Sequence, residues 1–418
     1  MTTSSKQIPD KIRKHKKHSQ ASRAAKKRQR RKPVFLVIVS GAVLLVLVAV
    51  ILALVLKGQN KPDPTVGASE TVIELAFAGD VVISDKVVKT GEADGGYDYT
   101  TVFKDVLPLL AGADHTVVNF EGNLCGAPYG TKNTSAPPEL VEALSRAGVD
   151  MLQVANSCSI NNGLLGLNAT LDGIRAAGLE PLGAYASAED FSKNGGFVLR
   201  DIRGIKVAFV AFTKGMDNIA LPAGQEDCVN LLYTDYTTNY QKVDTEGISQ
   251  LLRNVAAQKP DVTIALLHWG SEYNSKISNS QKKIVKLMKS EGVDAIIGTH
   301  SHLVQEIDFD QENGTLVAYS LGDLLGEADR GQSAYSAVLK LQVIRNDLTG
   351  QTRLAGYTYD PIYTVYDGNE AQVLQMVPAI RDYEANGIST VSEEVYTAMT
   401  KAVTKVETLF TPAPEDDE

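Results

Sequence analysis

Cysteine is scarce in this chain: Cys125, Cys158 and Cys228 are the three in 418 residues. An odd number at irregular spacing excludes a disulfide framework, and without a CxxC pair a zinc-finger site is excluded too. No internal repeat is found, which excludes a repeat architecture. Charge is missing altogether from residues 34–56, a run of 23 residues made almost wholly of Val, Leu, Ile and Ala. As a helix rising about 1.5 Å per residue, that run spans roughly 34 Å, enough to cross a hydrocarbon core of about 30 Å. A cleaved signal peptide has a shorter apolar region of about 7–15 residues, followed by a small-x-small site. Here the run leads into Lys57-Gly58-Gln59-Asn60-Lys61-Pro62, so an uncleaved single-pass anchor is expected.

What charge there is falls unevenly. Residues 1–33 hold 13 Lys/Arg and one acid, Asp10, so they carry about +12; at an overall −9 the rest carries about −21. By the positive-inside rule the basic tail stays in the cytoplasm. The chain is thus expected in the cell membrane, with its C-terminal domain extracellular and the lipid bilayer contacted through residues 34–56. The tail reads as a topology determinant and a solvated arm, and no nucleic-acid partner is expected.

Five segments follow from the composition: a basic tail (1–33), a transmembrane helix (34–56), a linker with two prolines (57–70), a globular ectodomain (71–365) and a helical extension ending in an acidic tail (366–418). Short apolar runs predict strands near 72–79, 115–119, 150–155, 205–212, 262–267 and 294–298. Helical stretches are predicted near 100–111, 138–147, 164–177, 243–257 and 279–291, with Gly148 and Gly178 as stops. Strand alternating with helix implies an α/β fold with a largely parallel sheet. Beyond residue 300, runs near 303–309, 315–320, 335–345 and 353–363, with turns at Asn313-Gly314 and Thr349-Gly350, predict an antiparallel part. Residues 370–410 are predicted helical.

Several of these strands end in polar residues suited to metal or proton chemistry. Asp80 follows Gly79 and offers a hard oxygen; a plain turn explains the pair equally well. Asn119 and Glu121, two apart on an extended backbone, face one side. Asn156 opens a polar cluster through Asn162 that can also be read as a helix cap. His268 closes an apolar strand, and Glu272 is near enough in sequence to hold it. His300-Ser301-His302 is the sharpest signal: two histidines one residue apart on an extended segment point the same way and can bind one metal or two neighbouring ones. Asp323, after Tyr319-Ser320-Leu321-Gly322, can hydrogen-bond a histidine of this cluster. His115 opens a strand and reads as structural.

The order Gly-Asp, Asn-x-Glu, Ala-Asn-x-x, His-Trp-Gly-x-Glu-Tyr, Gly-x-His-x-His, Tyr-Ser-Leu-Gly-x resembles the CapA family of capsule and poly-γ-glutamate biosynthesis proteins over residues 72–326. That family is similar to the calcineurin-like metallophosphoesterases. The resemblance implies a four-layer α/β/β/α sandwich behind the N-terminal anchor, with divalent metal ions (Mn, Zn or Fe) held by Asp80, Glu121, Asn156, His268, His300 and His302. His268, Glu272 and Asp323 are the expected catalytic groups. Such a site can polarise a phosphoryl or carbonyl oxygen and acidify a bound water. The chain departs from the family pattern at Cys158 and Asn161, where the family has His and Asp, and at Asp323, where it has Asn. A thiol does not replace a general acid, so the departures weigh more against turnover than against metal binding.

Three functions are expected from this reading. The first is an accessory factor for an anionic surface polymer such as poly-γ-glutamate or its precursor, working beside membrane-embedded synthase subunits. The second is a metal-dependent hydrolase of a phosphoester or amide. The third is a non-catalytic binding module that has kept the fold. An ectodomain so acidic does not attract a polyanion as a whole, so recognition has to run through metal or a local basic pocket.

Overall fold

Strand and helix alternate from residue 70 onward, and the first crossovers lay each new strand beside the last. The computed structural model describes residues 69–330, 332–386 and 391–411. The basic tail, the 34–56 span, nearly all of the 57–70 linker and the acidic tail from 412 lie outside the described residues. Among the described residues no helix is long and apolar enough to cross a membrane.

The chain starts one sheet, builds a second, then returns to the first. β1 (Glu70–Val82), β2 (His115–Glu121), β3 (Met151–Gln153) and β4 (Glu180–Leu182) pair in parallel. Helices Pro138–Arg146 and Gly163–Ala176 make two of the crossovers. The second sheet contains β5 (Val198–Ile202), β6 (Ile205–Thr213), β7 (Val262–His268), β8 (Ala295–Thr299), β9 (Ile307–Asp310) and β10 (Thr315–Ala318), in the order β9-β10-β8-β7-β6-β5. Its inner strands are parallel and its two edges antiparallel. β11 (Asp323–Leu325) then runs parallel to the end of β1, and β12 (Tyr335–Asn346), β13 (Thr352–Asp367) and β14 (Glu370–Gln375) extend the first sheet as an antiparallel meander.

Period-two alternation assigns the layers. On β6, Val207, Phe209 and Ala211 join the core shared with Phe77, Val117 and Leu152 of the first sheet. Ala208, Val210 and Phe212 point the other way, onto Ile248, Leu252 and Val255 of helix Thr245–Ala257 and Ile284 and Met288 of helix Asn279–Ser290. A strand buried on both faces reads as an unbroken apolar run, as this one does. Truncating an interior side chain such as Phe209 would cost about 3–5 kcal/mol.

The mixed α/β class is as expected, and the differences have physical causes. Residues 370–375, expected helical, form β14, where Ala371, Val373 and Leu374 find a sheet edge to cover; helices follow at Met376–Asn386 and Glu393–Phe410. The helix expected over 100–111 shortens to Leu107–Leu110. β10, expected antiparallel throughout, is antiparallel to β9 but parallel to β8. β4, β5 and β11 were not expected. Two of them are three residues long, too short to show a period.

Candidate metal centre

The polar groups gather where the parallel strands end, the edge at which open α/β sheets bind ligands. β1 supplies Asp80, β2 supplies Asn119 and Glu121, β7 supplies His268, and the turn after β8 supplies His300 and His302. Asp323 opens β11, directly beside Asp80 in register. Two glycines let these elements close up. A Cβ on Gly79 would collide with the Gly322 carbonyl, and one on Gly298 with the Tyr319 carbonyl and the Trp269 ring. Asp80 N–H donates to Gly322 O at 3.0 Å, and the Trp269 indole donates to Tyr319 O at 2.9 Å. The lone tryptophan is therefore a buried prop beneath the site.

Two clusters of three buried groups result: Glu121, His268 and His300, and Asp80, His302 and Asp323. In the first, His268 Nε2 is 3.2 Å from Glu121 Oε1, and the His268 and His300 ring centroids are 4.4 Å apart. In the second, His302 Nδ1 is 2.9 Å from Asp323 Oδ1 and 3.8 Å from Asp80 Oδ2. Asp80 links them, since its Oδ1 is 3.9 Å from His268 Nδ1. His300 and His302 do not point together from an extended segment. Both have left-handed backbone, φ 86° and 57°, and each enters a different cluster. Strained non-glycine backbone of this kind collects at functional sites.

The donor set suits a divalent cation. Among the described residues, Glu121 Oε2 and His300 Nδ1 are buried with no hydrogen-bond partner, and such orphaned atoms are costly unless something meets them. Imidazole nitrogens mixed with carboxylate oxygens fit ions of the Mn, Fe and Zn kind. A divalent ion held here would polarise a phosphoryl or carbonyl oxygen.

Charge within the clusters is tightly coupled. Burial, then the neighbouring Glu121 charge, pushes the Asp80 carboxyl up. Burial acts the same way on Glu121, but the charges and hydrogen bond of the histidines, His268 first, outweigh it and hold that carboxyl well below its ordinary range. Burial works against a charged His302, yet the hydrogen bond and charge of Asp323 raise it to about 10. His300 is held well below its usual value by burial, with His268 and Lys214 adding to the effect.

A family model for the bacterial capsule synthesis protein PGA_cap matches residues 74–328. The chain belongs to that family. It is 25% identical over 334 residues to the capsule biosynthesis protein CapA of Bacillus anthracis, covering 77% of this chain and 75% of that protein. It is 24% identical over 290 residues to the PGA biosynthesis protein CapA of Bacillus subtilis (strain 168), covering 66% and 70%. Among solved structures, the calcineurin-like phosphoesterase YfkN from Bacillus subtilis aligns with a TM-score of 0.41 at 15% identity, over 81% of this chain and 98% of its own.

Not every expected site residue lies in the two clusters. Glu272 does not hold His268: it is exposed, because Gly270, at φ 81°, turns the chain outward directly after β7. His268 Nδ1 instead lies 3.2 Å from Thr299 Oγ1 and 3.3 Å from Asn119 Nδ2. Asn156 lies behind Asn119: its amide donates to Asn119 Oδ1 at 3.1 Å and Phe120 O at 2.7 Å, and its Oδ1 accepts Cys158 N–H at 3.0 Å. It holds Asn119, whose own amide donates to Asp80 Oδ1 at 2.5 Å. Ser157 donates to Glu121 Oε1. Cys158 is buried, and burial, then the Glu121 charge, keeps its thiol protonated.

One group was missed altogether. Lys214, the residue after β6, places Nζ 3.3 Å from His300 Nε2. The strand prediction stopped at 212. Treating that strand end like the other strand ends would have found the lysine.

Proposed function

We propose that this chain is a membrane-anchored, extracytoplasmic member of the capsule family that assists synthesis, export or attachment of an anionic surface polymer such as poly-γ-glutamate, working through a divalent-metal site. The observation that carries this reading is the pair of linked, buried carboxylate–histidine clusters with unpartnered donor atoms, in a chain whose curated relatives are named for capsule and PGA biosynthesis. The layer order of helices, two sheets and helices, with donors at one edge, supports a metallophosphoesterase-like sandwich. The uncharged 34–56 run supports the anchor, and the basic tail before it supports a site outside the cell, where synthase subunits in the same membrane would be its partners.

The second reading is a metal-dependent hydrolase of a phosphoester or amide. Asp80, set between the two clusters, favours it, since a shared carboxylate suits two ions acting on one bond. Cys158 and Asn161 favour the third, a binding module without turnover. In this reading Asp323 orients His302, and Glu272 has no part.

The test is the metal content of the purified full-length protein beside a His300→Ala/His302→Ala double variant. Stoichiometric metal in the parent that is lost in the variant is the expected result. A parent that stays metal-free after supplementation with Mn, Zn and Fe rules out the metal site and the hydrolase reading with it.

A further inference from the structure

We propose that Lys214 is an oxyanion contact of this site: its ammonium receives a carboxylate or phosphate oxygen of the substrate beside the Glu121, His268 and His300 cluster. The inference rests on reading that cluster as a metal site and adds the group that orients an anionic substrate against it.

The position of Lys214 is fixed by backbone. Its N–H donates to His268 O at 2.8 Å, which ties the end of β6 to the end of β7. Its Nζ donates to Gly270 O at 3.0 Å, lies 3.3 Å from His300 Nε2 and sits 4.6 Å from the centroid of the Tyr240 ring. None of these contacts, among the described residues, is a carboxylate. Asp217 and Glu272 are the acids whose charge it feels, and both are exposed.

An ammonium has three donors. Gly270 takes one and a second faces His300, which leaves one for a ligand. A half-buried cation without an ion-pair partner is expensive to keep, and the Tyr240 face offsets only part of that cost. A divalent ion in the cluster adds further positive charge on the same side. An oxyanion lying between the two satisfies both. Lysine suits this as a compact point charge that does not demand bidentate geometry. The acidic ectodomain repels a polyanion as a whole, so a local cation of this kind is what admits one.

The experiment titrates inorganic phosphate and glutarate into metal-supplemented full-length protein by calorimetry, for the parent, Lys214→Met and Lys214→Arg, with metal content measured on each sample. At least one of the two anions is expected to bind the parent, and which one tells a phosphoryl source from a carboxylate source. Lys214→Met is expected to weaken it about tenfold or more, the size of one lost charged hydrogen bond, with metal retained; Lys214→Arg is expected to keep most of the affinity. A parent that binds neither anion, or a Lys214→Met protein that binds as the parent does, overturns the proposal. So does loss of metal together with the anion, because Lys214 would then only support the cluster. If Lys214→Met does not fold, Lys214→Gln, which keeps a donor for Gly270, gives the same comparison. A parent without metal that still binds an anion through Lys214 defeats the metal reading alone.

Discussion

Asp80 and His300 are joined across 220 positions of sequence by one hydrogen bond: the His300 backbone N–H donates to Asp80 Oδ2 at 3.0 Å. The carboxylate that links the two clusters therefore also fixes the left-handed turn that delivers both histidines. Asp80 is at once a candidate ligand and a fastener.

Those two roles separate by substitution. Asp80→Ala removes the acceptor and strands a buried N–H, so it should lower unfolding free energy by about 1–3 kcal/mol and abolish metal binding. Asp80→Asn keeps an acceptor and removes a charge that burial already disfavours, so its stability should stay close to that of the parent while metal binding falls. Urea unfolding of chelated protein, beside metal analysis, checks both.

Metal bound only by the folded chain should stabilise it. At a free concentration one hundred times its dissociation constant, the gain is about 2.7 kcal/mol. Chelation should thus lower the Tm of the parent and leave the His300→Ala/His302→Ala variant unmoved. Thermal melts with and without EDTA read this directly.

The His302–Asp323 pair gives a pH dependence with a definite sign. His302 is raised from its ordinary 6.5 to about 10, so the folded state binds its proton more tightly than the unfolded state. Its contribution is fully present below pH 6.5 and is lost as pH rises toward 10, at up to about 1.4 kcal/mol per pH unit. Metal-free parent should lose stability over that window, and Asp323→Asn should flatten the loss. Urea midpoints across the window, compared between the two proteins, provide the measurement.

Cys158 should behave as an inert thiol. It is buried, and burial raises its pKa well above the ordinary 9.0. Iodoacetamide at neutral pH should leave Cys158 unmodified in the native protein and label it in urea, while half-buried Cys125 is labelled in both. Peptide mass spectrometry distinguishes the sites. Native labelling of Cys158 would show that the pocket around Glu121 opens.

The sequence by itself determined the α/β alternation, because a strand buried on both faces must be continuously apolar, as β6 and β7 are. It also put Asp80, Glu121 and His268 at the ends of strands and His300 and His302 just past one, while Asp323, expected to close a strand, opens β11 instead. Glu272 and Asn156 looked equally suited in sequence. Only the tertiary structure separated them, because a left-handed glycine turned Glu272 outward while Asn156 came to lie behind Asn119. The division of the histidines into two clusters, with Asp80 between them, was decided at the same level. It depends on β11 pairing with β1 and on the Asp80–His300 hydrogen bond, contacts between positions more than 200 residues apart. No local pattern encodes such contacts. The arrival of Lys214 at His300 follows from the register of β6, β7 and β8 in one sheet, which exists only once the strands have paired.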